Sequence, residues 1–268
     1  MIRPASSPNV VTLTSDFGLT DPYVGMVRGV ILGRNPAASV IDLTHAVPAQ
    51  SIDAGAFVLA HSYRFFPMGA VHWAVVDPGV GTARRALLLQ TRHAWFVGPD
   101  NGIFALVLDR DPCLRCWVLD RTEHWQSPVS TTFHGRDIFA PIAALCALGV
   151  DPDTLGTRMT DSLPVGRSLS YEQRSDGTSE GCVVWVDHFG NLITSLPASL
   201  LSERRWKGLL LNGSVAPIVH TYGEARDASI IALKGSSGFL EVAVPNGNAS
   251  LRLRVSVGAS VVLVPDMR

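Results

Sequence analysis

An α/β amino-terminal domain built on a mainly parallel sheet with helices on both faces, followed by a smaller all-β, barrel-like domain, is the architecture this sequence predicts. Three observations carry it. Strand-like apolar runs alternate with amphipathic helical segments through the first half, the pattern of a parallel sheet with crossover helices. In the last third, short strands follow one another with turn signals and little helical periodicity. Between them runs DPDTLGTRMTDSLPVGRSLSYEQRSDGTSEG, polar and rich in Ser, Gly and Asp, which places a boundary within 155–180 and gives domains of 1–165 and 166–268.

The elements follow in order. NVVTLT reads as a buried strand, DPYVGMVRGVILGRN as a helix, SVIDLT as a strand and QSIDAGAFVLAHSYRFF as a second helix. AVHWAVVD, RALLLQTR and AWFVGP continue as strands; GIFALVL is a short helix, CWVLD a strand, and RDIFAPIAALCALG a helix ended by Gly149. Beyond the polar stretch, CVVWVD, LITSLP, GLLLN, SIIALKG, FLEVAV and ASVVLVP are the strands of the second domain. No internal repeat is visible.

With 268 residues, 47% hydrophobic and 17% charged, the chain buries a substantial core. Twenty-two Lys and Arg against 23 Asp and Glu leave a net charge of -1, no footprint for nucleic acid or an anionic membrane, so a small-molecule ligand is expected. The start MIRPASSPNV lacks the apolar core of a signal peptide, and no stretch approaches the roughly 20 apolar residues of a membrane helix. A cytoplasmic location is the expectation. Cys113 and Cys116 form a CxxC, but Cys146 and Cys182 stand apart, and zinc would require a second such pair or neighbouring histidines; reduced thiols are expected.

Ligands of such sheets sit beyond the carboxyl ends of the strands. Four polar clusters fall there: TSDFGLTD with Asp16 and Asp21, DPGVGTARR with Asp77 and Arg84, GPDNG with Asp100 and Asn101, and TTFHGRD with His134, Arg136 and Asp137. Any one alone would be an ordinary turn or helix cap, since Asp and Asn favour both; four on one edge point to a site. The glycine-rich and GxSxG fingerprints of dinucleotide enzymes, NTPases and serine hydrolases are missing. His134 has only Asp137 at ligand spacing, so no metal is expected.

The blocks VTLTSDFGLTDPYVGMVRGVI, VIDLTHAVP, VVDPGVGTARR, GPDNGIF, TFHGRDIFAP, VDHFGNLITSL and SSGFLEVAVPNGNA resemble, together and in order, the S-adenosyl-L-methionine (SAM) hydrolase family. Its members are adenosine-forming, hydroxide-using relatives of the SAM-dependent fluorinase and chlorinase. The resemblance runs from about residue 10 to 265. It implies a triad of Asp77, Arg84 and His134, with Arg85 the neighbouring alternative to Arg84. It implies hydrolysis of SAM to adenosine and L-methionine by in-line attack of a triad-held water or hydroxide on the ribose 5′ carbon, with SAM as substrate and no cofactor.

The chemistry is suited to those residues. A sulfonium already makes methionine a good leaving group, so only a nucleophile in line behind the 5′ carbon is required. Free water has a pKa of about 15.7, so hydroxide is scarce without stabilising positive charge. An arginine supplies that charge permanently, a carboxylate orients it, and a histidine accepts or donates.

By the same resemblance Asp16 accepts the ribose hydroxyls, Asp21 and Asp187 lie near the methionine ammonium and sulfonium side, and Phe189 packs on adenine with Asn191 beside it. Ser236 and Ser237 stand near the amino-acid carboxylate, and Glu241 of the same block completes the substrate-binding set. A homotrimer with sites between subunits is also implied. Halogenation is the alternative within the family; there the triad is broken at the position of Asp77, a halide pocket with an extra loop is present, and an Arg stands where Ser237 does. The intact Asp77 would repel a halide. A SAM or adenosine sensor with negligible turnover, and a metal hydrolase using His134 and Asp137, are the alternatives from other classes.

Overall fold

The structure, a computed structural model, describes residues 8–160, 164–166, 169–225 and 229–266. The first seven residues of the opening MIRPASSPNV, and 161–163 and 167–168 of the polar stretch, lie outside the described residues. The chain divides into two compact units, Met1–Ser168 and Leu169–Arg268.

The first unit contains β1 (Val10–Ser15), α1 (Tyr23–Arg34), β2 (Ser39–Thr44), α2 (Ile52–Ser62), β3 (Val71–Val75), β4 (Ala86–Gln90) and β5 (Trp95–Pro99). It continues with α3 (Ala105–Arg110), β6 (Arg115–Val118), α4 (Ala140–Ala147), α5 (Pro152–Leu155) and β7 (Thr157–Arg158). Among the described residues the strands form one seven-stranded sheet in the order β2-β1-β3-β5-β4-β6-β7. Alternation along β1 and β3 sends Val11, Leu13, Val71, Trp73 and Val75 into a core with Val27 and Ile31 of α1 and Ile142 and Ala143 of α4. The intervening His72 instead meets Tyr63, just past α2, and Phe96 of β5.

This sheet corrects the expectation of a mainly parallel one. Strands β2, β1, β3 and β5 are parallel, but β4 pairs antiparallel with β5 and β6, and β6 with β7. The cause is the connection: only Thr91–Ala94 separate β4 from β5, closed by a Thr91 N–H to Ala94 carbonyl bond of 3.0 Å. A parallel crossover needs about a dozen residues or more, whereas four suffice for a hairpin.

The second unit contains β8 (Glu172–Gln173), β9 (Ser179–Val186), β10 (Leu192–Pro197), β11 (Trp206–Leu211), β12 (Ser214–Ala216), β13 (Ile231–Lys234), β14 (Phe239–Ala243), α6 (Ala249–Leu253) and β15 (Ser260–Pro265). They form, among the described residues, an antiparallel sheet ordered β12-β11-β15-β9-β10-β14-β13, with β8 on β9. It nearly closes: Ile218, just past β12, bridges Ala232 of β13 at the far end. Leu192, Leu196, Leu209, Leu211, Leu240, Val242, Val261 and Leu263 fill the interior. The small strands β7, β8 and β12 and the helix α6 carry too little periodicity to announce themselves. Helix α6 starts at Asn248, whose side chain accepts the Leu251 N–H at 2.8 Å.

No helix among the described residues is long and apolar enough to cross a membrane. All four cysteines are free thiols.

Candidate active site

Strands β1, β3 and β5 run in parallel and end on one edge, Ser15 beside Val75 and Trp73 beside Val97. The loops leaving them carry three of the four candidate clusters.

The loop 76–85 is built by short turns. The Val80 N–H bonds the Asp77 carbonyl at 3.2 Å, and the Thr82 hydroxyl bonds the Gly79 carbonyl at 2.7 Å. These turns fold Arg84 back onto Asp77. Its Nε lies 2.9 and 3.0 Å from the two carboxylate oxygens, and Nη2 lies 2.5 Å from Oδ2. Both side chains are sheltered, Arg84 10% and Asp77 5% exposed, so this is a fork-shaped pair well screened from water. The guanidinium also lies over the Phe139 ring, 5.3 Å from its centroid.

His134 arrives from another element. It precedes a π-helical turn, Gly135–Phe139, that leads into α4; such turns are rare and recur at functional sites. Arg84 Nη2 lies 2.9 Å from His134 Nδ1. Arginine can only donate, so Nδ1 is the acceptor and the neutral ring carries its proton on Nε2. Burial, and then the positive charge of Arg84, hold the His134 pKa below its ordinary value against the opposing pull of Asp77 and Asp137. The structure thus joins Asp77, Arg84 and His134 in one contact set. Arg85 points elsewhere, pairing with Asp100 at 2.6 Å with its side chain 43% exposed.

Two close approaches bring the loops together. Gly81 has φ +76, and a Cβ there would sit 2.6 Å from the Thr131 carbonyl oxygen, three residues before His134. At Gly135 a Cβ would meet the rings of Phe17 and Trp73 at 3.2 Å. Trp73 Nε1 donates to the Gly135 carbonyl at 3.1 Å, and Phe17, after β1, is edge-on to Trp73 and Phe133 at 5.8 Å each. Phe17 and Phe139 therefore wall the site, a role their apolar character alone did not announce.

Asp16 accepts the Gln50 N–H on Oδ2 at 2.7 Å, and its Oδ1 takes no hydrogen bond among the described residues. Asp21 is exposed two residues before α1. Asp137 is buried, but its carboxylate takes Arg136 at 2.6 and 2.9 Å and the Ser130 N–H at 2.8 Å, which organises the loop before His134.

In the second unit, the DHFGN turn joins β9 and β10. Asp187 Oδ1 accepts the N–H groups of Phe189 and Asn191 at 2.9 and 2.8 Å, and Oδ2 accepts the Asn191 side-chain amide at 2.9 Å. Asp187 thereby builds the turn that leaves the Phe189 ring 71% exposed. Ser236 and Ser237 lie in the tight turn between β13 and β14; Ser236 is exposed, while the Ser237 hydroxyl is buried without a partner among the described residues. Glu241 on β14 is buried and accepts the Tyr222 hydroxyl. Burial first, then the charge of Asp187, raise its pKa against the Tyr222 hydrogen bond. Tyr222 belongs to this cluster although the sequence did not point to it, because nothing in a short polar stretch foretells a contact with a strand 19 residues on.

Comparison with known proteins shows the family to which the chain is similar. Residues 11–156 match the SAM hydroxide adenosyltransferase N-terminal domain, and 181–262 match the SAM hydroxide adenosyltransferase C-terminal domain. An (R)-S-adenosyl-L-methionine hydrolase of Thermus thermophilus is 40% identical over 265 residues, covering 95% of this chain and 99% of its own. A fluorinase of Actinoplanes sp. is more distant, at 25% identity over 83% of this chain and 86% of its own. The crystal structure of an uncharacterised conserved protein from Thermotoga maritima superposes with a TM-score of 0.86 at 32% identity, covering 95% of this chain and 99% of that one. This chain belongs to the SAM hydroxide adenosyltransferase family.

Proposed function

We propose that this protein hydrolyses SAM to adenosine and L-methionine by in-line attack of a water or hydroxide, held by Asp77, Arg84 and His134, on the ribose 5′ carbon. The observation that carries the reading is the single guanidinium bridging a sheltered carboxylate and a neutral imidazole. The relative at 40% identity, named as a hydrolase, supports it.

Each group has a part. Asp77 fixes the guanidinium in one orientation, and Arg84 supplies a charge that no accessible pH removes. The Nδ1 of His134 is already occupied, so the imidazole offers its Nε2 proton to the nucleophile oxygen as a donor. With hydroxide as the attacking species its oxygen keeps its one proton and becomes the 5′ hydroxyl: as the C5′–O bond forms, the C5′–S bond breaks and its electron pair returns to sulfur, leaving methionine as a neutral thioether, while the proton that water gives up to form the hydroxide passes to solvent. The carboxylate of Asp77 beside the attack position can accept a hydrogen bond from water or hydroxide but not from a halide, which has no proton to donate.

The other candidates are part of the same proposal. Asp16, with one oxygen unengaged, takes the ribose hydroxyls; Phe189 packs on adenine beside Asn191. Asp21 and Asp187 face the ammonium and sulfonium side, Asp187 acting through its charge because its oxygens are engaged in the turn. Ser236, Ser237 and Glu241 complete the amino-acid end. A homotrimer and a cytoplasmic location belong to this reading, and SAM is the substrate with no cofactor invoked.

Incubation with SAM in chloride buffer is expected to release adenosine and methionine in equal amounts. 5′-Chloroadenosine would transfer the reading to halogenation, and SAM bound but uncleaved would transfer it to a sensor.

The reaction's pH dependence follows from His134. The neutral ring is the form that accepts from Arg84, and its pKa is lowered from about 6.5. The rate is therefore expected to hold through neutrality and to fall with decreasing pH only below about 6.5. A kcat profile whose acid limb lay above that value would contradict this assignment.

A further inference from the structure

The GPDNG turn, singled out by its position after a strand, is given no part by the triad. Its place in the sheet supplies one. Strand β5 lies between β3 and β4, so the loop 76–85, leaving β3 and entering β4, has to arch over the end of β5. The turn emerging from β5 sits beneath that arch.

It holds both ends. At one, Asn101 Nδ2 donates to the Val76 carbonyl at 2.8 Å, while its Oδ1 accepts the Ile103 N–H at 3.2 Å, so both ends of the amide are engaged. That carbonyl belongs to the peptide plane joining Val76 to Asp77, and Val76 is fully buried. At the other end, the Asp100 N–H donates to the Arg85 carbonyl at 3.0 Å, and the Asp100 carboxylate receives Arg85 Nε at 2.7 Å. Gly98 permits the close fit beneath, since a Cβ there would lie 2.2 Å from the Ala74 carbonyl oxygen.

We infer that Asp100 and Asn101 are positioning residues for the triad: they grip the two ends of the arch and set the span across which Arg84 reaches from Asp77 to His134. This rests on the function proposed above. The two grips differ in strength. The Arg85–Asp100 pair is partly exposed, and such pairs contribute little. The Asn101 bond holds a buried carbonyl that has no other partner in the turn, and loss of such a bond forces the peptide to move or take up water.

The test is Asn101→Ala, read in two ways. Histidine proton NMR follows the titration of His134, and steady-state kinetics follow SAM cleavage. If the arch relaxes, Arg84 withdraws from His134, and the ring is expected to titrate closer to its ordinary value than in the wild type. In the same variant kcat is expected to fall about 10- to 100-fold with KM nearly unchanged, the signature of misplacement rather than lost binding. Asn101→Asp keeps an acceptor for Ile103 but not the donor, and is expected not to restore either property. Asp100→Ala, should Asn101→Ala fail to fold, is expected to move both readings the same way by less.

A folded Asn101→Ala protein with the wild-type His134 titration and kcat overturns the inference. If the wild type cleaves no SAM, the proposed function falls instead, and the titration alone decides the grip.

Discussion

Arg84→Ala is expected to lower kcat for SAM cleavage by about 100- to 1,000-fold, the range found when a single preorganised charge-stabilising donor is removed. KM should change far less, because the guanidinium is engaged by Asp77 and His134 and, in the proposed reaction, acts on the nucleophile rather than on the body of the substrate. The substitution removes the permanent charge and the anchor of both Asp77 and His134 together. Asp77 is left with its side chain 5% exposed and no counter-ion, so circular dichroism and thermal melting should accompany the kinetics. Arg84→Lys is expected to recover little, since one ammonium cannot span a carboxylate and an imidazole as the fork does. Arg85→Ala is the informative neighbour. Its side chain serves the partly exposed pair with Asp100, so its loss should cost less than tenfold. An unchanged rate in Arg84→Ala with inactivity in Arg85→Ala would reverse the assignment of the two arginines.

Gly81→Ala carries the second large effect, and it acts through the backbone. The left-handed conformation at φ +76 costs an alanine roughly 1–2 kcal/mol. Its methyl would also lie 2.6 Å from the Thr131 carbonyl oxygen, a contact relieved only by moving the two loops apart. Stability and kcat are both expected to fall, the latter at least about tenfold, because separating these loops separates Arg84 from His134. Gly149→Ala is the control. Gly149 has φ +80 at the end of α4, and a methyl there would meet nothing within 4 Å, so this variant should lose stability and keep its rate. Equal kinetic losses in both variants would mean that the Gly81 contact has no role in the site.

These two residues also show what the sequence could and could not tell. Gly81 stands in a legible motif, yet its need for glycine lies in a carbonyl 50 residues away, which no local pattern encodes. Arg84 and Arg85 are adjacent and chemically identical. Only the turns that fold Arg84 back onto Asp77, and the Asp100 that draws Arg85 outward, tell them apart.

The strands of the first unit were legible in their apolar runs, but their direction was not, because buried parallel and antiparallel strands read alike. The four-residue connection Thr91–Ala94 did hold that information. The hairpin makes β4 and β5 antiparallel neighbours, but that β5 rather than β4 lies against β3, which puts the GPDNG turn beneath the arch, is set by long-range pairing. Asp137 lay in a legible cluster, but its carboxylate faces Arg136 and Ser130, a distinction set by a π-helical turn that residue type does not announce. Tyr222 and Glu241 meet only because the second sheet curls almost closed, which follows from pairing across the whole unit.

Attack of a water-derived oxygen on the ribose 5′ carbon, the step proposed for this site, leaves an isotopic record in the product. Purified protein incubated with SAM in water enriched in oxygen-18, with mass analysis of the nucleoside product, tests it most directly. Adenosine carrying the heavy atom in its 5′ hydroxyl, released together with methionine, is the expected product. Adenosine without label, or 5′-methylthioadenosine in its place, would contradict it.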